Sequence, residues 1–262
     1  MDIKKFMGED GELPLDRMIE GGGFVPILQN IACVGDSLAS GELQLNHEDG
    51  SQHYFDFYEY SWGKFIEKQT GVFTRVFAQG GMTAKTYRTS FANSRGYWKR
   101  ELAANAYIIA LGVNDLINND TPIGDISDIC PEDPKKNADT YIGNYAYIIQ
   151  RYKVIQPDAK FFLVTIPRSS DRGEKRMKKA LAQRDAIYKL AEHFDNCYVI
   201  DLYEYAPDFD AEFRDTFFLY GHMSPAGYLL ISRLLVSYID YIIRHNMKDF
   251  KNVGFMGVDQ DI

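Results

Sequence analysis

The chain has 262 residues, 45% hydrophobic and 25% charged, with a formal net charge of -8. That length accommodates one large α/β domain or two small ones, and so acidic a surface disfavours nucleic acid or an anionic membrane as a partner. Three widely spaced cysteines, Cys33, Cys130 and Cys197, indicate neither a disulfide framework nor a zinc site.

Residues 1–25 are polar and glycine-rich, ending at Gly21-Gly22-Gly23. They lack the apolar core of a signal peptide and read as an extension packed on the domain. No unbroken run approaches the roughly 18 apolar residues of a membrane span. A cytoplasmic location and no membrane partner are therefore expected.

The first strand signal is 31–34, followed by a polar loop holding His47 and His53 and a helical pattern over 55–69. Strand signals return at 72–78, 107–111, 161–166 and 198–200. Helical patterns cover 140–156, 173–194 and 225–246, the last opening with proline, as helix starts favour. Alternation of strands and helices implies βαβ units and a mostly parallel sheet. Residues 115–139 form a long polar loop containing Pro122, Pro131 and Pro134. Residues 247–262 read as a surface tail, and residues 1–262 as one domain. Cys33 and Cys197 lie in apolar strand-like runs and read as small buried hydrophobes.

Four short segments concentrate the chemistry. Ile31-Ala32-Cys33-Val34 runs into Gly35-Asp36-Ser37-Leu38, which sets one serine hydroxyl at the carboxyl end of a strand, where open α/β sheets bind ligands. Gln79-Gly80-Gly81-Met82-Thr83 follows the second strand, and Gly112-Val113-Asn114-Asp115 the third. Leu219-Tyr220-Gly221-His222-Met223-Ser224-Pro225 precedes the last helix. Each has a bland reading as a turn, since Gly, Asn and Asp favour turns. Serine needs an adjacent base to act as a nucleophile, and histidine can take its proton near neutral pH.

In this order and spacing the four segments resemble the blocks of the GDSL, or SGNH, hydrolase family. The resemblance spans roughly 31–246. It implies a flavodoxin-like three-layer α/β/α sandwich with a five-stranded, mostly parallel sheet. It also implies an esterase or acylhydrolase working through a covalent acyl-enzyme, with no metal or cofactor. Ser37 would be the nucleophile and His222 the general base. The Ser37 and Gly81 backbone N–H groups and the Asn114 amide would form the oxyanion hole. One position departs from the family pattern: Leu219 stands three residues before the histidine, where an aspartate usually orients the ring. Asp215, Glu212 or Asp210 is expected to fold back as a displaced acid, with Asp215 foremost, or else a backbone carbonyl leaves a Ser–His dyad.

The expected function is hydrolysis of acyl or acetyl esters of a small molecule or carbohydrate. The competing expectation is a non-catalytic glycan- or protein-binding module, which the absent aspartate favours. Tyr54, Phe55, Phe57, Tyr58 and Tyr60 are candidates to line an acyl or sugar subsite, and Arg168 is a candidate contact for an anionic group.

Overall fold

The structure is a computed structural model that describes residues 3–257. Five strands, β1 (Asn30–Gly35), β4 (Phe73–Ala78), β5 (Ala106–Ala110), β6 (Lys160–Val164) and β7 (Cys197–Ile200), form a parallel sheet in the order β4-β1-β5-β6-β7. The intervening β2 (Glu42–Asn46) and β3 (Gln52–Asp56) form a separate antiparallel hairpin, and β8 (Phe218–Leu219) and β9 (His222–Met223) a second, shorter one.

The strand sequences are apolar at nearly every position because both faces of the sheet are covered. Successive side chains point to opposite faces. Ile31, Cys33, Ala106, Ile108 and Phe162 face one core, shared with helices α2 (Trp62–Thr70) and α6 (Pro225–His245). Ala32, Val34, Tyr107, Ile109 and Phe161 face the other, shared with α3 (Tyr141–Ile155) and α4 (Glu174–His193). The result is a three-layer α/β/α sandwich. Burial pushes the Cys33 and Cys197 thiols up, the latter to about 12, so both are inert at neutral pH.

Helix α6 begins where the Ser224 side chain accepts from Gly227 N, with Pro225 at the first position. By length and composition it is apolar enough to cross a membrane, although serines and an aspartate break its apolar run. Its apolar side is instead covered by α2 and the sheet.

The N-terminal segment is strapped to α6. Phe24 N donates to Asp240 Oδ1 at 2.8 Å and Ile19 N to Ser237 Oγ at 3.1 Å. The buried Arg244 guanidinium bonds Glu12 through two nitrogens at 2.7 Å each, and Asp240 through Nε at 2.8 Å. The C-terminal tail is less of an appendage than its sequence suggests. Phe250 and Val253 are buried, and the Phe250 ring lies 5.3 Å from that of Tyr198. The far end of the tail, residues 258–262, lies outside the described residues.

The stretch read as a polar loop around His47 and His53, together with the first two residues of the helical pattern expected from 55, is the β2–β3 hairpin. Helix α2 accordingly starts at Trp62, after the Ser61 cap, rather than near residue 55. Apolar alternation alone points β2 the wrong way, because this strand buries its polar side chains: Glu42 and Gln44, two residues apart on one face, are both buried.

Candidate active site

Strand β1 ends at Gly35, where any Cβ would meet the Ala39 methyl at 2.4 Å and the Ala110 carbonyl oxygen at 3.0 Å. The glycine lets the chain turn directly off the sheet edge into the one-turn helix α1 (Ser37–Ser40). Asp36 caps it, its Oδ1 accepting from Leu38 N at 3.0 Å. Ser37 is the first residue of α1 and is half-buried. Neither its hydroxyl nor its backbone N–H has a hydrogen-bond partner among the described residues.

Helix α1 packs against β9, which carries His222. The β8–β9 hairpin pairs Leu219 with His222 across a two-residue turn, with Tyr220 in the left-handed region at φ 59°. Gly221 N donates to Gln44 Oε1 at 2.9 Å, which ties this turn to β2. His222 Nε2 lies 2.9 Å from Glu42 Oε1. The Tyr54 ring meets the imidazole edge-on at 5.6 Å. The remaining ring nitrogen, Nδ1, is buried with no partner. No hydrogen bond joins His222 to Ser37 among the described residues.

The carboxylate beside His222 is therefore Glu42, and it meets Nε2, not Nδ1. None of the three expected acids reaches the ring. Asp215 and Glu212 are exposed on α5 (Ala211–Phe217), and Asp210 caps that helix by accepting from Phe213 N at 2.9 Å. The helix holds these residues rigidly away, whereas β2 runs directly beneath the histidine turn. Leu219, at the usual position of the acid, is exposed on the hairpin. Glu42 is confined on its other side by Gly80, where a Cβ would stand 1.9 Å from Glu42 Oε2. The signal in the sequence was the alternation Glu42-Leu43-Gln44-Leu45-Asn46, a strand whose inward face is polar.

Two more elements bring donors to the same place. Gly81 follows β4 in the left-handed region at φ 72°, faces open space, and its N–H has no partner among the described residues. Asn114 lies in a π-helical turn over Val113–Asn118, a form common at functional sites. Its Nδ2 donates to Met82 O at 3.1 Å and lies 3.4 Å from Asp36 Oδ2, a long contact that a better acceptor could displace. Asp115, buried beneath, accepts from Ala84 N at 2.9 Å and fixes the Gly81 loop to the Asn114 turn. Burial pushes the Asp36 carboxyl up to about 7 and that of Asp115 to about 6.

Ser37, Gly81, Asn114 and His222 line one cavity of about 420 Å³, within the range of small-molecule sites. Glu42 and Tyr54 line it too. Phe55, Phe57, Tyr58 and Tyr60 do not, and lie exposed outside it. Arg168 turns away, with Nη2 3.5 Å from the Glu204 carbonyl oxygen, while Arg172 and Arg176 border the cavity. A smaller apolar cavity of about 60 Å³ adjoins it, sharing Leu38, Val113, Ile166, Pro167 and Phe209 as walls.

The same architecture occurs in solved structures of low sequence identity. A family two carbohydrate esterase from Clostridium thermocellum, in complex with cellohexaose, matches with a TM-score of 0.57 at 15% identity, over 82% of this chain and 64% of that one. A carbohydrate esterase family 2 enzyme with a carbohydrate-binding domain, from Corynascus thermopiles (Myceliophthora fergusii), matches with a TM-score of 0.55 at 17% identity, over 80% of this chain and 65% of that one. The chain thus spans just under two thirds of the length of each. A psychrotrophic esterase from Pseudoalteromonas sp. matches with a TM-score of 0.52 at 15% identity, over 83% of this chain and 100% of that one. No curated protein matches the sequence. The family model of the GDSL-like lipases and acylhydrolases matches residues 33–230, and the chain belongs to that family.

Proposed function

We propose that this protein hydrolyses short-chain carboxylic esters, acylated carbohydrates among them, through an acyl-enzyme on Ser37. The observation that carries the reading is the gathering of Ser37, His222 and unpartnered N–H donors from separate loops in one cavity. A non-catalytic pocket has no need of that combination.

In this mechanism Glu42 holds one imidazole nitrogen. The other takes the Ser37 hydroxyl proton as Oγ bonds to the ester carbon. The carbonyl π electrons move onto oxygen, and that charge is met by the N–H groups of Ser37 and Gly81 and by Asn114 Nδ2. Each such donor is typically worth about 3 kcal/mol of barrier. Collapse of the intermediate breaks the carbon–alkoxide bond, and the imidazolium returns the proton to the departing alcohol. Water then repeats the sequence on the acyl-enzyme. A partnerless buried ring nitrogen such as Nδ1 costs stability, and a cost of that kind is a common mark of function.

The adjoining apolar cavity supports a short acyl group. At roughly 15 Å³ of such space per water-sized atom, it holds about four heavy atoms. The binding-module reading is favoured by the absence of a Ser37–His222 hydrogen bond.

Treatment with a fluorophosphonate probe decides between the two. A stoichiometric adduct on Ser37, absent in Ser37→Ala, supports the enzyme. Turnover of 4-nitrophenyl acetate should fall at least about a thousandfold in that variant. No adduct and no turnover with folded protein would favour binding.

A further inference from the structure

The protein is acidic overall, yet its active-site cavity is bordered by three arginines, Arg172, Arg176 and Arg214. Arg214 is neutralised. It forks onto the Asp171 carboxylate and also donates to the Phe209 carbonyl. Arg172 and Arg176 have no ion pair and no side-chain hydrogen bond among the described residues. Arg176 is also half-buried. Burial, and then the like charges of Arg172 and Arg214, work against its protonated form. Arg172 is exposed. Asp36 and Glu42 line the same cavity, but their bonds go to Leu38, Asn114 and His222, so the two guanidinium groups are left free to take a bound anion.

The surroundings say which part of a ligand the anion belongs to. Beyond Arg172 and Arg176 the surface continues into a hollow of about 320 Å³, whose other lining residues are Ile117, Lys175 and Lys179. Asp120 partly neutralises this extension, pairing with Lys179 and lying 3.9 Å from Lys175. The apolar cavity that adjoins the site, by contrast, is walled by Leu38, Val113, Ile166 and Pro167 and has no basic residue in its lining. An acyl group suits the apolar side, so a charged group must sit on the alcohol side. Guanidinium forks match the two oxygens of a carboxylate or a phosphate better than ammonium groups do.

We propose that Arg172 and Arg176 bind an oxyanion, carboxylate or phosphate, carried on the alcohol half of the ester. The substrate class is then an acylated acidic sugar or a comparable acidic polyol ester. The proposal rests on the hydrolase reading above, and its test separates the two.

The probes are mono-acetylated methyl glucoside, mono-acetylated methyl glucuronide and mono-acetylated glucose 6-phosphate. Wild-type kcat/KM should favour at least one acidic ester over the neutral one by about tenfold or more, as charge-assisted contacts allow. The preference should shrink as salt is raised, because partly exposed charges are screened. In Arg172→Gln/Arg176→Gln the acidic-to-neutral ratio should approach one. Arg172→Lys/Arg176→Lys should keep part of it, and thermal melts of both variants report their folding. The carboxylate and phosphate arms distinguish the two sources of the anion.

A wild-type ratio near one, or a ratio that survives the Gln substitutions, overturns the proposal. Calorimetric titration of Ser37→Ala with methyl glucuronide, glucose 6-phosphate and methyl glucoside covers the case of no turnover on any ester. Arginine-dependent binding of an acidic sugar there upholds the subsite while the hydrolase reading falls. Equal or absent binding of all three removes the subsite as well.

Discussion

Glu42→Gln is the sharpest perturbation of the proposed machinery. Glutamine keeps the shape of the side chain and an oxygen able to accept from the imidazole, but not the charge. Glu42 Oε1 stands 2.9 Å from His222 Nε2, and both side chains are largely withdrawn from solvent. At that separation and an effective dielectric of about 20, a carboxylate and an imidazolium attract by roughly 6 kcal/mol. Desolvation of the carboxylate and residual solvent offset about half of this, leaving about 3 kcal/mol. In the proposed mechanism that attraction exists only when the ring is protonated, after it has taken the serine proton. It therefore stabilises the transition state more than the ground state. At about 1.4 kcal/mol per tenfold, kcat on 4-nitrophenyl acetate should fall about a hundredfold with KM little changed. Asp215→Asn provides the contrast. It is an exposed change on α5 that should leave kcat within about twofold. A folded Glu42→Gln enzyme within about threefold of wild type, or a large loss in Asp215→Asn, would refute the reasoning.

Gly80→Ala places a methyl 1.9 Å from Glu42 Oε2 and should displace that carboxylate, lowering kcat by about tenfold or more with the melting temperature as the folding control. Asn114→Ala should lower kcat by about a hundredfold with a smaller change in KM, measured on the same ester. The raised Asp36 and Asp115 carboxyls make the folded state bind protons more tightly than the unfolded chain. Their contribution favours folding below about pH 4 and is lost as the pH rises towards about 7. Asp115→Asn removes its share of that loss, so its melting temperature relative to wild type should rise between about pH 4 and pH 8. An opposite or flat trend would contradict the burial argument. Arg244→Met leaves Glu12 and Asp240 without their partner under the N-terminal strap and should destabilise by about 3–5 kcal/mol in urea unfolding.

The sequence was sufficient for the sheet and the family. All five parallel strands were legible, because strands buried on both faces are short apolar runs and the helices between them repeat near 3.6 residues. Ser37, Gly81, Asn114 and His222 were legible as candidates, since each sits at a strand end or helix entry and carries a local motif, and the fold brings the four to one cavity. The partner of His222 was not. Its sequence neighbours pointed to Asp215, four residues before the usual acid position at Leu219, but α5 fixes that side chain in solvent. Glu42 reaches the ring only because β2 and β3 pair into a hairpin beneath the β8–β9 turn, and because Gly80 leaves it space. The charge at the cavity mouth was hidden in the same way. Arg168 follows β6 but turns to Glu204, while the exposed Arg172 and the half-buried Arg176 border the cavity from the turn before α4 and from its first turn. Local sequence sets strands, helices and turns through propensity and periodicity. Which side chains converge from distant segments depends on how those elements pack, and that is decided only in the tertiary fold.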